Sequence, residues 1–598
     1  MYILGLSCFY HDSAISLLSS DGVVFASHEE RFSRVKHDKS FPRQALNHCV
    51  ETYNITLDQI VSIVFYENPL LKLDRKFRYG DNQFSDSSEI LDSYSISKHI
   101  SHYTGWNISL IYSKLYFSSH HLSHAASSYY CSGFNSTAVL VIDAVGEKDT
   151  VSIYHAKENN ISKIWTLAFP QSVGLFYSAF TYFCGFKVNS GEYKLMGLAP
   201  YGKPIYSDLI YSRFLTFNEI DSCDGFPLSI DSSLYSIDPA SPIISANSKL
   251  EALLGFGPRA EGDDLTQSYF DLASSAQFLL NKIVLQLARY SLYITSSSNL
   301  CLAGGVALNC TSNSFIRKSL NLENLFIQPA SGDAGGALGA SLISYYSDRT
   351  YPSAPFSKQI SSVFWGSNLE HESVIKKLLE DHNISYSLYD DDFDMATVVS
   401  ARLMSGQIVS LARGRAEFGP RALGHRSILA DPRISDIKSR VNSVIKYRES
   451  FRPFAPLIHE YNFSKYFDSS HKPNAFMLFV ENFLSLEQNN EFSPSSAFPG
   501  IRHIDGTARC QVIQPSNDEL HSLVLQQCES CYSCDMLLNT SFNVRGEPLV
   551  NSALDALNTF FGTEIDCCVI GPFFIEKVTN PNVTAYPLES WKSVARTD

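Results

Sequence analysis

Apolar and polar positions follow the same rhythm in two separate stretches of the chain. Residues 2–30 contain three apolar runs separated by His-Asp-Ser and Asp-Gly turns, which predicts three strands. Residues 136–156 contain an apolar run that ends in an aspartate, a turn with a glycine, and a second apolar run. Because both stretches open in the same strand-turn-strand order, the sequence predicts a duplicated α/β domain.

Helical periodicity follows these strands. Residues 274–294 place apolar side chains three and four positions apart, which predicts a helix, and residues 300–303 predict a short strand before a glycine pair. Residues 346–362 are rich in Ser, Pro and Tyr and show neither period, so we expect the main linker there. We therefore predict one α/β domain over residues 1–350 and a second over residues 351–598.

Composition and charge exclude several classes of protein. The chain is 44% hydrophobic and 18% charged, as folded globular proteins are, and its formal net charge is -14. Such an acidic chain lacks the broad cationic face that nucleic acid or an anionic membrane requires, so we expect neither partner. No apolar run reaches about 18 residues, and no basic segment opens the N-terminus, so we expect a cytoplasmic protein.

The cysteines indicate a reducing compartment. There are thirteen, an odd number, and most lie in apolar stretches, as reduced buried thiols do. Cys528, Cys531 and Cys534 have a spacing that suits zinc, but a closed zinc site needs a fourth ligand. We expect these three to be structural.

Paired glycines occur in two loops, residues 303–310 and 331–340. Backbone amides at a helix start can point at phosphate, with the positive end of the helix dipole behind them. The alternative is that the glycines only allow tight packing. Both interpretations stay open, and the phosphate hypothesis concerns Gly304, Gly305, Asn309, Gly335 and Gly336.

Histidines four positions apart form a candidate metal pair. On a helix, His120 and His124 project from one face, whereas His121 lies on another face and is expected to be structural. The strand-end Asp143 and the loop residue Asp333 are natural carboxylate ligands. Two histidines with two aspartates suit iron, manganese or zinc, although buried histidines also satisfy themselves by hydrogen bonding.

Positive charge is concentrated between residues 413 and 452. This segment contains ten Lys and Arg residues and four Asp and Glu residues, a local excess of +6. Guanidinium groups bind phosphate through two hydrogen bonds, and clustered cations focus the field in a cleft. The segment RGRAEFGPRALGHR, residues 413–426, mixes four of these arginines with residues that bend and bury backbone. The sequence predicts an anion cleft here rather than a solvated charged face.

Several motifs together resemble one known family, the NodU/CmcH-type O-carbamoyltransferases. They extend over nearly the whole chain in the family order: LGLSCFYHDSA, HEERFSRVKHDKSFP, HHLSHAASSYY, GEYKLMGLAPYG, AGGVALN, SGDAGGALGA, EFGPRALGHRSILADPR, RESFRPFAP and NTSFNVRGEPLV. The resemblance implies an N-terminal actin-like ATPase (ASKHA) domain, similar to TsaD-type proteins, and a C-terminal YrdC-like α/β domain.

The resemblance also implies an activity. ATP, with Mg²⁺, and carbamoyl phosphate would give carbamoyl-adenylate, and the carbamoyl group would pass to a hydroxyl of a small-molecule acceptor such as a sugar or an antibiotic. A divalent metal, with iron expected before manganese or zinc, would lie in the N-terminal domain. We also consider a homodimer.

Family site residues carry over by motif. The metal ligands map onto His120, His124, Asp143 and Asp333, and His11 falls near the transfer site, where the alternative is a turn-stabilising role. The expected catalytic and nucleotide-binding residues of the second domain are Arg421, Arg448, Arg452, Arg509, Asn539, Ser541 and Arg545. The chain departs from the family at Ala144, which stands where glycine is typical.

Two other functions remain as alternatives. A tRNA threonylcarbamoyl-adenosine enzyme would use related domains, but the acidic balance counts against a tRNA surface. A non-catalytic, ATP-binding scaffold would leave the cationic segment without a purpose. The sequence does not identify the acceptor.

Overall fold

The chain folds into two compact units. The computed structural model describes residues 1–79, 92–218, 228–237, 244–246, 248–260, 262–347, 358–468, 470–484, 497–516 and 519–583. The first unit comprises Met1–Glu29 and His37–Ser362, and the second comprises Glu30–Lys36 and Val363–Asp598. The predicted boundary between residues 350 and 351 lies outside the described residues.

The first unit alternates strands and helices. Its strands are β1 Tyr2–Ser7, β2 Ala14–Ser19, β3 Gly22–His28, β4 Ile60–Phe65, β5 Leu115–Phe117, β6 Ser136–Ile142, β7 Asp149–Lys157, β8 Asn160–Ala168, β9 Leu215–Phe217, β10 Leu228–Ile230, β11 Tyr235–Ile237, β12 Ile244–Ala246, β13 Leu300–Ala303 and β14 Leu325–Ile327. Its helices are Arg43–Thr52, Pro69–Tyr79, Ser93–Thr104, Ile108–Lys114, His120–Ser132, Val173–Phe183, Glu192–Leu198, Ser207–Phe214, Ser248–Leu254, Gln267–Thr295, Cys310–Ser319 and Asp333–Ser347.

Two five-stranded sheets in this unit share one topology. The first has the order β3-β2-β1-β4-β5 and the second the order β8-β7-β6-β13-β14. In each sheet the first three strands are antiparallel, and the two crossover strands pair in parallel. The predicted duplication is therefore confirmed, and it gives the actin-like arrangement expected from the family resemblance.

Small residues let two helices of the first unit approach closely. A Cβ on Gly339 of the helix Asp333–Ser347 would lie 1.7 Å from the carbonyl oxygen of Ser123. A Cβ on Gly5 of β1 would lie 2.0 Å from the carbonyl oxygen of Ala337 in the same helix. This close packing brings the first turns of His120–Ser132 and Asp333–Ser347 together, which positions the site described below.

The second unit is built on one mixed sheet. Its strands are β15 Ser387–Leu388, β16 Val409–Ala412, β17 Arg426–Ala430, β18 Ala455–His459, β19 Glu481–Asn482, β20 Thr507–Ala508, β21 Gln511–Ile513, β22 Met536–Ser541, β23 Cys567–Ile570 and β24 Phe573–Glu576. The helices are Glu30–Ser33, Glu372–Asp381, Asp392–Met404, Ile437–Arg440, Glu460–Tyr466, Leu520–Tyr532 and Ala553–Phe561. The eight-stranded sheet has the order β15-β24-β23-β16-β17-β22-β18-β21, which confirms a second α/β unit.

An early segment of the chain belongs to this second unit. Arg31 is buried and donates to the carbonyl of Gly419 at 2.8 Å. Arg34 donates to the carbonyls of Leu549 and Pro548 at 2.5 and 3.0 Å. These bonds join residues 30–36 to segments almost 400 and more than 500 positions later, so the second unit is discontinuous in sequence.

The three closely spaced cysteines differ in their burial. Cys528 and Cys534 are buried, the Cys534 thiol donates to the carbonyl of Met536 at 3.1 Å, and Cys531 is exposed. Burial raises the pKa of Cys534 to about 12, so this thiol stays protonated. Separately, none of the helices in the described part of the chain is long and apolar enough to cross a membrane.

Candidate metal centre and anion site

The four predicted metal ligands come together in the first unit. His120 and His124 lie one helical turn apart, and their Nε2 atoms are 3.1 Å from each other. Asp143 follows β6, and its Oδ2 is 3.0 Å from His120 Nε2 and 3.6 Å from His124 Nε2. Asp333 opens its helix, with Oδ1 at 3.6 and 3.5 Å from the same two nitrogens. Four ligand atoms therefore surround one point.

This arrangement fits a divalent cation. All four side chains are buried, and within the described part of the chain both carboxylate oxygens of Asp333 have no hydrogen-bond donor. Leaving a buried carboxylate without a donor is costly, and a bound cation removes that cost. Two imidazoles and two carboxylates suit Fe²⁺, Mn²⁺ or Zn²⁺ without selecting one.

Surrounding groups hold these ligands in place. The backbone amide of Gly305 donates to Asp143 Oδ1 at 3.3 Å, and Glu67 Oε2 lies 3.8 Å from His120 Nδ1. Burial opposes ionisation of Glu67, but Lys72 and His120 hold its pKa at about 2. The two groups are beyond hydrogen-bond distance, so the ionised carboxylate acts on His120 through its charge.

His11 lies at the edge of this cluster. Its Nε2 is 3.7 Å from Asp333 Oδ2, and its Nδ1 donates to Asp12 Oδ2 at 3.0 Å. His37 Nδ1 donates to the other oxygen of Asp12 at 2.8 Å, so the carboxylate is held from both sides. Burial lowers the pKa of His11, but Asp333 and Asp12 outweigh burial and raise it to about 10. His121, in contrast, hydrogen-bonds Ser152 at 2.8 Å, the structural role that we predicted.

The paired glycines lie in crowded surroundings. A Cβ on Gly304 would lie 2.2 Å from the carbonyl oxygen of Ile142, and one on Gly335 would lie 2.0 Å from that of Ala330. A Cβ on Gly336 would lie 2.8 Å from the Tyr66 ring. Asn309 caps the helix Cys310–Ser319 by accepting from the amide of Ser312. Tight packing accounts for these residues, and their role in binding phosphate stays a prediction.

Three of the four arginines in residues 413–426 hold the fold of the second unit, contrary to the prediction that this segment as a whole forms an anion cleft. Arg413 pairs with Asp392 at 2.6 Å. Arg415 donates to the carbonyls of residues 365 and 366, and fully buried Arg426 donates to those of residues 413, 414, 425 and 551. These three guanidinium groups bind backbone carbonyls or a carboxylate. For the fourth arginine of the segment, the half-buried Arg421, anion binding stays a hypothesis.

A buried carboxylate shapes the loop that carries Arg421. Glu417 Oε1 accepts from the backbone amides of Leu423, His425 and Arg426 at 2.8, 3.1 and 3.2 Å. Three converging amides are a strong site for one carboxylate oxygen. The bends of the Phe-Gly-Pro-Arg-Ala-Leu-Gly segment therefore wrap the chain around Glu417.

We predict that Glu417→Ala lowers the free energy of unfolding by about 3 to 5 kcal/mol, because three buried amides lose their acceptor. Glu417→Gln keeps an acceptor oxygen and should cost roughly half as much or less. Urea unfolding followed by circular dichroism measures both, with the exposed Glu372→Ala as control. Equal losses for the alanine and glutamine variants would contradict this role.

Cations gather elsewhere in the second unit, around Lys446. Its ammonium donates to Ser541 Oγ at 2.9 Å and to Asn543 Oδ1 at 2.7 Å. Burial and the charges of Arg448, Arg452 and Lys36 lower the pKa of Lys446 well below its usual value.

Further cations extend this group. Burial and Arg448 lower the pKa of Lys438. Burial, partly opposed by Asp505 and reinforced by Arg509 and Lys438, lowers the pKa of His503 to about 4. We call these residues the cationic cluster: Lys36, Lys438, Lys446, Arg448, Arg452, Arg509 and Arg545.

Three members of the cationic cluster lie near carboxylates. Glu449 lies 3.7 Å from Arg452 and 3.8 Å from Arg545, and Glu30 pairs with Lys36 at 3.0 Å. Arg448, Arg452 and Lys36 act on Lys446 as like charges, and like charges repel one another unless an anion joins them. The cluster is therefore a candidate phosphate-binding site.

Other predicted residues of the second unit lie in supporting positions. Ser541 hydrogen-bonds Lys446 and Asn543, and Asn539 donates to Gln511 at 2.6 Å. Sequence reasoning missed Lys36 as a member of this candidate site. The only available signal for Lys36 was its place in the family stretch HEERFSRVKHDKSFP.

Family profiles match most of the chain. The profile described as Carbamoyltransferase N-terminus matches residues 2–342, and that described as Carbamoyltransferase C-terminus matches residues 400–577. These matches confirm the family resemblance found in the sequence motifs.

Two curated relatives cover the chain almost from end to end, and a third covers about half of it. An uncharacterized protein of Synechocystis sp. is 38% identical over 97% of this chain and 97% of its own. Nodulation protein NolNO of Sinorhizobium fredii is 32% identical over 98% of this chain and 81% of its own. The 3'-hydroxymethylcephem-O-carbamoyltransferase of Streptomyces clavuligerus is 27% identical over 47% of this chain and 49% of its own. The chain therefore belongs to the carbamoyltransferase family of enzymes.

Proposed function

We propose that this enzyme uses ATP and carbamoyl phosphate to carbamoylate a hydroxyl group of a small molecule. Hydrolysis of carbamoyl phosphate releases phosphate and carbamate. A carbamate oxygen then attacks the α-phosphorus of ATP and displaces pyrophosphate, which leaves carbamoyl-adenylate. The acceptor oxygen attacks the carbamoyl carbon, AMP leaves, and the hydroxyl proton passes to a base.

The observation that carries this proposal is the cationic cluster of a chain that is otherwise strongly acidic. Carbamoyl phosphate and the ATP triphosphate bring several negative charges together, and adenylation crowds them further as the carbamate oxygen approaches phosphorus. Guanidinium groups fixed in advance lower the energy of that arrangement. We therefore assign the adenylation step to the cluster, with Arg448, Arg452, Arg509 and Arg545 on the phosphates.

The transfer step is assigned to the first unit. His120, His124, Asp143 and Asp333 would hold a divalent metal, which when bound supplies a Lewis acid for a carbonyl or hydroxyl oxygen. His11 has its Nδ1 proton fixed by Asp12, so its Nε2 is the atom that would face an acceptor hydroxyl and take its proton. A cation at Asp333 would oppose the carboxylate charge that keeps His11 protonated.

The proposal predicts the products of ATP turnover. Incubation with ATP, carbamoyl phosphate and Mg²⁺ should release AMP and pyrophosphate, and omission of carbamoyl phosphate should reduce this release to background. Separation of the nucleotides by chromatography, with pyrophosphate assayed in parallel, measures both. Formation of ADP in place of AMP would refute the adenylate mechanism.

A further inference from the structure

A second group of metal-binding side chains lies in the second unit, apart from the cationic cluster. His425 directly precedes β17, and Glu519 and His521 stand at the start of the helix Leu520–Tyr532. One ligand atom from each lies within 4.8 Å of the others. The proposed carbamoyl transfer makes no use of these three residues.

The three ligand atoms converge. His425 Nε2 is 2.5 Å from Glu519 Oε2, and His521 Nδ1 is 3.8 Å from the same oxygen. The two imidazole rings have centroids 6.0 Å apart and planes at 73°. Ligands of a tetrahedral zinc ion stand about 3.3 Å apart at bond lengths of about 2.0 to 2.1 Å. The two distances to Glu519 Oε2, 2.5 and 3.8 Å, lie on either side of this spacing.

The ring of His425 is held in the orientation that a ligand needs. Its Nδ1 donates to the carbonyl of Arg415 at 2.7 Å, which fixes the ring, and its Nε2 is hydrogen-bonded to Glu519 Oε2 at 2.5 Å, a bond that coordination of both atoms to one ion would replace. Phe364 stacks on the ring at a centroid distance of 3.6 Å and an interplanar angle of 9°. A carbonyl behind the distal nitrogen is the usual outer-shell partner of a metal-bound histidine.

His521 supplies an independent sign of a missing ligand. His521 is only 4% exposed, and among the described residues its Nδ1 has no hydrogen-bond partner. The chain crowds this ring, since a Cβ on Gly424 would lie 2.5 Å from Nδ1. A buried nitrogen left unpaired costs about 1 to 3 kcal/mol, which coordination would remove.

We propose that His425, Glu519 and His521 bind a divalent transition-metal ion, with Zn²⁺ as the best fit to a two-histidine, one-carboxylate set. The ion joins the loop between β16 and β17 to the start of the helix Leu520–Tyr532. That loop is the one wrapped around Glu417 and carrying Arg421. Because the two segments are about 95 residues apart and come together only in the folded chain, binding of the ion to the folded state stabilises the second unit.

Zinc titration of the metal-free protein tests this site. The wild type should bind two equivalents of Zn²⁺, and His521→Ala and Glu519→Gln should each bind one. His124→Ala, which removes a ligand of the first centre, should also bind one, and the double variant His124→Ala/His521→Ala none. The control is His459→Asn, a buried histidine in the same unit that hydrogen-bonds Ser522, and it should keep both equivalents.

Thermal unfolding supplies a second readout that is independent of activity. Zn²⁺ should raise the melting temperature of His124→Ala, which retains this site, and should have no such effect on His124→Ala/His521→Ala. Should His521→Ala fold poorly by circular dichroism, Glu519→Gln carries the same comparison with a near-isosteric change. A single equivalent in the wild type that His124→Ala abolishes, and that Glu519→Gln leaves intact, would overturn the proposal.

Discussion

Replacing Asp333 or His124 with alanine is expected to stop carbamoylation of the acceptor while pyrophosphate continues to exchange with ATP. Both side chains lie in the buried candidate metal centre of the first unit, whereas adenylation is assigned to the cationic cluster of the second. A Lewis acid that lowers the barrier by several kcal/mol is lost, which corresponds to a fall in the rate of carbamoyl transfer of about 10²-fold to 10⁴-fold. Isotope exchange and acceptor carbamoylation, measured on the same preparations, separate the two steps.

The neighbouring histidine provides the matched control for this experiment. His121 lies on the same helix and is equally buried, but it hydrogen-bonds Ser152 and does not face the metal centre. His121→Asn should keep its metal and most of its transfer activity. If the Asp333 and His124 variants lose exchange as completely as transfer, then one site carries out both steps and the division proposed here is wrong.

Replacing Arg452 or Arg509 with alanine is expected to slow the exchange of pyrophosphate with ATP and to leave the transfer step itself unchanged. Each change removes a charge-assisted contact with phosphate worth about 1.5 to 3 kcal/mol, so exchange should fall tenfold or more, and about a hundredfold or more in the double variant. Transfer should fall only in proportion to the supply of carbamoyl-adenylate. Exchange rates over a range of carbamoyl phosphate and ATP concentrations measure the effect.

A surface arginine of the same unit serves as control here. Arg402 pairs with Glu576 at 2.7 Å, and an exposed pair of this kind contributes at most about 1 kcal/mol to stability. Arg402→Ala should therefore leave exchange unchanged. Wild-type exchange in the Arg452→Ala/Arg509→Ala variant would remove the cationic cluster from the adenylation step.

Local periodicity predicted part of the candidate metal centre. His120 and His124 share a helix face because four residues make about one turn, and Asp143 follows directly from the end of an apolar run. The duplicated strand order also came from a repeated pattern in the sequence. The spacing of the two histidines depends on residues close together in the chain, where the period alone fixes the geometry, whereas their approach to Asp143 and Asp333 depends on the fold.

The partners of the arginines could not be predicted in the same way. Arg426 looks like a phosphate ligand in the sequence, yet it is fully buried and donates to four carbonyls that the fold brings together. Charge density along the chain does not distinguish a cation that binds backbone from one that faces a ligand. The same limit applies to Gly304, whose crowding by the carbonyl of Ile142 depends on the pairing of β6 with β13.

Because residues 30–36 belong to the second unit, the codons for that unit do not form one uninterrupted stretch of the gene. A recombination event that joined codons 363–598 to another protein would leave behind the guanidinium groups of Arg31 and Arg34, which bind carbonyls of Gly419, Pro548 and Leu549. It would also leave behind Lys36, a member of the cationic cluster. Selection on the second unit therefore also acts on codons 30–36, which interrupt the codons for the first unit. The two units are for this reason constrained to evolve as a single gene.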